Sequence, residues 1–307
     1  MKIVYFGTPE FSVKPLEKII LSGKHEVVGV VCQPDRPVGR KAVMTPPPTK
    51  EFALKYGIRV FQYESVRKEG VEDLKKLNAD AMVTCAYGQI LSQEILDITK
   101  FGVFNIHASL LPKYRGASPI QYSIINGDDR TGITYMKTDV GMDTGDIIRQ
   151  YETAIGESET YGELSDRLSA LGAEHMVEIL DEIESGKIEL RKQNDDFSSI
   201  VKPLKKEDSI IDFSKNSKTV FNLVKGTNPW PIAHTFLNGK ILKIYSVKLS
   251  EGSGLPGEVV VAADRLVVSC GAGAVEVLEI QEEGGKKMSA KAFLLGRKIK
   301  NGDVLGK

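Results

Sequence analysis

The chain has 307 residues, 41% apolar and 27% charged, with 41 Lys+Arg against 41 Asp+Glu, the balance of a chain that folds in water. No window approaches the roughly 20 apolar residues of a membrane span. The N-terminal Met1-Lys2-Ile3-Val4-Tyr5-Phe6-Gly7 has neither the apolar length nor the cleavage site of a signal peptide, so a cytoplasmic location is expected. The scattered cysteines, Cys32, Cys85 and Cys270, form no Cys-x-x-Cys or Cys/His cluster, which excludes a disulfide framework and a structural zinc site.

Taken in order, Lys2 to Phe6 reads as a buried strand closed by Gly7-Thr8-Pro9, followed by a helix over about 11–22 and a second apolar strand from Glu26 to Cys32. Strand, helix and strand with near-continuous β-branched runs predict a mostly parallel, Rossmann-like sheet flanked by helices. The first turn lacks Gly-x-Gly-x-x-Gly, so no dinucleotide is expected there. Gln33 to Pro48 is a long loop carrying Arg36, Arg40 and Lys41 and ending in Pro46-Pro47-Pro48. A basic loop beyond a strand's carboxyl end sits where open α/β sheets bind ligands. Helices are expected over 49–56 and 65–77, strands over 58–61 and 79–86, and a strand over 103–107.

The stretch around which the chain is organised begins there. Asn105 and His107 are two apart, so a strand places both on one face. Turn-forming residues follow from Pro112 to Gly116, and Asp139-Val140-Gly141-Met142-Asp143-Thr144-Gly145-Asp146 packs three carboxylates and two glycines into eight residues. The other histidines, His25, His175 and His234, read as structural or surface residues. An imidazole exchanges protons near neutrality, and with an amide it could hold a developing oxyanion while Asp143 takes a proton from an attacking amine. No serine or cysteine lies in a nucleophile-elbow context, which argues for direct transfer. The acidic loop lacks the terminal glutamate of a calcium loop, so no metal is expected.

Thr160 to Ser185 carries a helical period, and the composition turns polar from Lys187 to Asp208. The expected division is a domain over 1–188, a linker over 189–208 and a domain over 209–307. Short strand-like segments between glycine-rich turns predict that the last is a small antiparallel β-barrel, OB-like in class. Residues 1–200 carry 24 Lys+Arg against 30 Asp+Glu, and 201–307 the remaining 17 against 11. That excess is either a polyanion-facing surface or surface lysine without a partner.

Asn105-x-His107, Ser109-Leu110-Leu111-Pro112, Arg115-Gly116-Ala117 and Asp143-Thr144-Gly145-Asp146 resemble the 10-formyltetrahydrofolate-dependent formyltransferase superfamily. Gly7-Thr8-Pro9, the Gln33–Arg40 motif, Asn228-Pro229-Trp230-Pro231 and Gly285-Lys286-Lys287 narrow the likeness to the members that formylate methionyl-tRNA. The resemblance implies Asn105, His107 and Asp143 as the catalytic trio, with 10-formyltetrahydrofolate as co-substrate. It implies a folate site at Ser109, Leu110, Leu111 and Pro112, with Ile90, Leu91, Asp139 and Val140 around the pterin. It implies contact with initiator methionyl-tRNA through Arg36, Arg40 and Lys41, and through Lys206, Lys286 and Lys287 of the basic C-terminal part. Where the family has a lysine-rich run after Gly-Arg, this chain has Lys41-Ala42-Val43. A monomer is expected. Rival expectations are a formyltransferase for a nucleotide-sugar amine or glycinamide ribonucleotide, a folate hydrolase or dehydrogenase module, and a non-catalytic tRNA-binding protein.

Overall fold

The computed structural model describes every residue except Arg40, Arg297, Lys298 and Lys307. The chain groups into two units, one made of Met1–Gly116, Thr131–Thr153 and Ser165–Ile200, the other of Ala117–Arg130, Ala154–Leu164 and Val201–Lys307.

In the first unit, seven strands form one sheet: β1 (Lys2–Gly7), β2 (Glu26–Cys32), β3 (Val60–Gln62), β4 (Ala81–Cys85), β5 (Val103–His107), β6 (Arg130–Lys137) and β7 (Ile147–Ala154). Their order is β7-β6-β5-β4-β1-β2-β3. β1 runs parallel to β2 and β4, β2 to β3 and β4 to β5, whereas β6 is antiparallel to β5. The apolar runs are buried on both faces, as parallel strands under helices require. Ile3, Val4, Tyr5 and Phe6 have no exposed surface, and each such side chain contributes about 1.5–3 kcal/mol on burial. The buried phenol of Tyr5 donates to the Ser12 carbonyl at 2.7 Å, since an unpaired hydroxyl there would be costly.

Three segments differ from the expectations. The loop after β2 contains a short hairpin, Arg36–Val38 paired with Val43–Thr45. The helix expected over 65–77 divides into Val66–Glu69 and Val71–Lys76 at Gly70, where a Cβ would press on Val66 and Tyr63. The helix over Thr160–Ser185 divides into Tyr161–Glu174 and Met176–Glu184 at His175, whose ring stacks on Tyr151 with centroids 3.6 Å apart.

The second unit holds an antiparallel sheet: β8 (His234–Leu237), β9 (Lys240–Ser250), β10 (Val259–Ala262), β11 (Leu266–Ser269), β12 (Ala274–Glu282) and β13 (Met288–Ser289). The order is β8-β9-β12-β11-β10, with β13 on β12. Register shifts between Ile244 and Val247 are bulges, which bend a strand and increase its twist. The sheet accordingly curls into a half-barrel. Its concave core takes Leu242, Ile244, Val268, Val275 and Val277 and is covered by the helix Ser217–Gly226. Asn216 caps that helix by accepting from the Thr219 amide at 2.8 Å.

Candidate active site

His107 closes β5 at the carboxyl edge of the parallel strands, with Asn105 one pleat before it. Val103, Phe104 and Ile106 are buried and hold the strand, so the two polar side chains cannot turn away without losing that packing. The Thr84 hydroxyl donates to Asn105 Oδ1 at 2.8 Å. The amide is therefore oriented with Nδ2 outward, 3.4 Å from Asp143 Oδ1. His107 Nε2 lies 2.9 Å from the Tyr114 carbonyl oxygen. A carbonyl only accepts, so Nε2 carries the hydrogen. Nδ1 is then the atom that exchanges a proton, and it faces Asp143 Oδ1 at 3.6 Å.

The carboxylate arrives on a loop shaped for it. The Lys137 amide donates to the Asp146 carbonyl at 2.9 Å and closes the loop's base. Asp139 Oδ1 accepts from the Gly141 amide at 3.0 Å and the Thr144 hydroxyl at 2.7 Å. A Cβ on Gly145 would overlap the Lys137 carbonyl oxygen, and one on Gly141 the Thr144 hydroxyl, so both positions need glycine. Asp143 itself sits at φ +54°, a left-handed conformation that non-glycine residues adopt at a cost. Its Oδ2 accepts from the Gly116 amide at 2.7 Å, leaving Oδ1 towards Asn105 and His107.

The structure brings together the three expected catalytic residues. Of the residues expected near folate, Ser109 is fully buried and its hydroxyl donates to the Lys113 carbonyl at 2.6 Å. Leu111 packs with Met136 and Ile147, while Leu110 and Pro112 are half-buried. Leu91 is buried, Ile90 and Val140 are exposed, and Asp139 holds its own loop. Of the expected tRNA contacts, Arg36 lies on the hairpin and pairs with Glu64 at 2.7 Å, Lys41 is exposed at its turn, and Arg40 lies outside the described residues. The hairpin's root is anchored: Lys50 Nζ is 2.8 Å from both oxygens of Asp35. Hydrogen bonds from Lys50 and then Gln62 hold the Asp35 carboxyl below the usual carboxylate range. In the second unit Lys206 and Lys286 are exposed, and Lys287 pairs with Glu279 at 2.8 Å and lies over the Tyr245 ring.

Sequence reasoning missed Thr84, the Tyr114 carbonyl, the Gly116 amide and Gln193, whose Nε2 donates to the Asp143 and Gly145 carbonyls at 2.7 and 2.8 Å. Only Thr84 left a signal, as the one hydroxyl in the apolar run Ala81–Cys85. Among the described residues, the His/carboxylate group with metal-ligand spacing is His25, Asp181 and Glu184, at the amino edge of β2. A groove of about 890 Å³ lined by Leu21, Ala170 and Val177 shares no residue with the site.

Residues 1–180 match the family model described as formyl transferase, and residues 203–298 match the formyl transferase C-terminal domain. The chain belongs to the formyl transferase family. It is 45% identical over 309 residues to the methionyl-tRNA formyltransferase of Citrifermentans bemidjiense, covering 100% of this chain and 97% of that one. It is 43% identical over 309 residues to the protein of the same name from Caldanaerobacter subterraneus, covering 99% and 100%. Among solved structures, the N-formyltransferase of Helicobacter canadensis, in complex with folinic acid and dTDP-3-aminofucose, shares the fold at 20% identity with a TM-score of 0.69 over 94% of this chain and 100% of that one. HypX of Aquifex aeolicus in complex with tetrahydrofolic acid does so at 18% identity, with a TM-score of 0.67 over 98% of this chain. The chain spans about half of HypX, 48% of its length.

Proposed function

We propose that this protein transfers the formyl group of 10-formyltetrahydrofolate to the free α-amine of methionyl-tRNA. The new bond joins the amine nitrogen to the formyl carbon, the bond from that carbon to the folate nitrogen breaks, and the proton shed by the amine ends on the departing nitrogen. As the amine adds, the formyl oxygen gathers charge, and donors placed in advance stabilise that charge without reorganising. Asn105 Nδ2 and a protonated His107 Nδ1 are those donors. Asp143 Oδ1, within 3.6 Å of both, accepts the amine's proton. The residues fit a folate co-substrate in one further respect: Ile90 and Val140 expose apolar surface on loops of the same unit, suited to a flat pterin ring. Ser109, Leu110, Leu111, Pro112, Leu91 and Asp139 shape those surroundings.

The observation that carries the reading is the convergence of Asn105, His107 and Asp143 in a chain 45% identical over its length to proteins named for this reaction. Label from the formyl donor is expected on the methionine of methionyl-tRNA and not on an amino-sugar nucleotide. The opposite pattern would replace the acceptor.

The residues proposed to contact RNA are Arg36 and Lys41 of the hairpin, Arg40 next to Lys41 in the sequence, and Lys206, Lys286 and Lys287. In this reading the domain over 1–188 holds Asn105, His107 and Asp143 together with Arg36, Arg40 and Lys41, the linker over 189–208 brings Lys206, the domain over 209–307 brings Lys286 and Lys287, and the protein is a cytoplasmic monomer. Phosphate contacts release counterions, so affinity for tRNA falls as salt rises. Lys286→Ala lowers the slope of that dependence by about one. An affinity indifferent to salt would remove these lysines from the interface.

A further inference from the structure

The polar stretch Lys192-Gln193-Asn194-Asp195-Asp196 has the composition of a connector, yet it is tied to the reactive loop. Arg191 and Ile147 exchange both backbone hydrogen bonds at 2.8 Å, which fixes where the chain lies two residues later. There the side chain of Gln193 donates through Nε2 to the carbonyls of Asp143, at 2.7 Å, and Gly145, at 2.8 Å. Its Oε1 accepts from Arg115 Nε at 3.0 Å. Arg115 is 5% exposed, and its Nη2 donates to Asp195 Oδ1 at 2.7 Å. A guanidinium has only donors, so Arg115 obliges the amide to present its oxygen. The NH2 group of Gln193 is then turned to the loop, with one hydrogen for each carbonyl.

Three consecutive residues of chain hold His107, Gln193 and Asp143. The Tyr114 carbonyl fixes the His107 tautomer, Arg115 orients Gln193, and the Gly116 amide holds Asp143 Oδ2. Asp143 is thus held at its carboxylate by Gly116 and at its backbone by Gln193, in the left-handed conformation that costs it strain. We propose that Gln193, oriented by Arg115 and Asp195, is a positioning residue that sets Asp143 Oδ1 against the reacting amine. Among the described residues the side-chain hydrogen bonds of Gln193 run to Arg115, Asp143 and Gly145 and not to Asn105 or His107, so its effect on the reaction passes through Asp143. The inference rests on the formyl-transfer reading above. Misplacing a reacting group by about 1 Å costs about 100-fold, whereas substrate binding by the rest of the site is untouched.

The test is a double-mutant cycle with Gln193→Met, which keeps the volume and removes both donors and the acceptor. Alone it should lower kcat by about 10- to 100-fold with KM for tRNA and for the folate donor within about twofold. Added to Asp143→Asn it should cost less than about twofold, because the group it positions is already gone. Asp195→Asn, at a side chain 82% exposed and so of little consequence for folding, should show a smaller loss that also vanishes in the Asp143→Asn background. A Gln193→Met enzyme within twofold of the parent kcat, or a loss that multiplies with that of Asp143→Asn, would overturn the proposal. A parent protein that formylates an amino sugar instead of methionyl-tRNA would displace the acceptor assignment alone, and the cycle is then read with that acceptor.

Discussion

Two histidines lie at opposite edges of the parallel strands, and their surroundings separate ballast from chemistry. His25, 5% exposed at the start of β2, has Asp181 Oδ1 3.1 Å from Nε2 and Glu184 Oε2 3.8 Å from Nδ1. His107, 6% exposed at the end of β5, has Asp143 Oδ1 3.6 Å from Nδ1. At the amino edge the carboxylates already have cations: Lys24 holds Asp181 at 2.6 Å and the Met1 ammonium holds Glu184 at 3.3 Å. Burial, and then the Met1 ammonium, push His25 below its ordinary value, so the imidazole stays neutral and fills space. At the carboxyl edge Asp143 is held by uncharged donors, the Gly116 and Asn105 amides. Its cationic partner is whichever proton carrier approaches, the imidazole or the amine. The same residue pair becomes reactive or inert according to what else shares the carboxylate.

The largest expected effect breaks the comparison at its reactive side. His107→Ala and Asp143→Asn should each lower kcat by about 10²–10⁴-fold, the usual loss of a general acid or base, while His25→Gln leaves kcat within about twofold. Comparable losses at both histidines would erase the distinction. Next come the glycines. Gly145→Ala, which drives a Cβ into the Lys137 carbonyl, should abolish most activity and cost about 1–3 kcal/mol in urea unfolding. Gly23→Ala, with open space around a φ of +65°, should cost about 1 kcal/mol and leave kcat alone.

The pH dependence of stability sharpens the inert side. Because the folded His25 has its proton affinity lowered, its unfolded form binds a proton first as pH falls. Stability is full above the ordinary imidazole value of about 6.5 and is lost as pH drops through it towards the lower folded value. Denaturant midpoints between pH 5 and 7.5 should slope less in His25→Gln than in the parent, and unchanged slopes would remove His25 from the account. The smallest effect is a silence. Burial pushes the thiols of Cys32 and Cys270 up to about 11 and that of Cys85 up to about 12. A thiol reagent at pH 8 should therefore label none of them until the chain unfolds. A fast-reacting thiol at Cys32 or Cys85, which end β2 and β4, would make the carboxyl edge reactive for a second reason.

Much of this comparison could be read before the fold was known. A run such as Lys2–Phe6 has one low-energy fate, burial between layers, and a two-residue spacing puts Asn105 and His107 on one face whatever surrounds them. The Asp139–Asp146 glycines signalled a tight loop. The break at His175 was not legible, because the helical period continues through it and the stacking partner, Tyr151, is distant in sequence. The hairpin at Arg36–Thr45 was hidden for the opposite reason, its strands being too short to show alternation. Gln193 was concealed by polar neighbours that imitate a connector.

By itself the sequence determined the layers, the strand that carries the amide and imidazole, and the kinship with formyl transferases, since these follow from local periodicity and motif spacing. Tertiary structure alone decided which nitrogen of His107 bears the hydrogen, which way the Asn105 amide faces, and that residues 115, 143, 193 and 195 act together. Those outcomes depend on hydrogen bonds between residues as many as 80 positions apart, and a hydrogen bond acquires its direction only when both partners have been brought within about 3 Å.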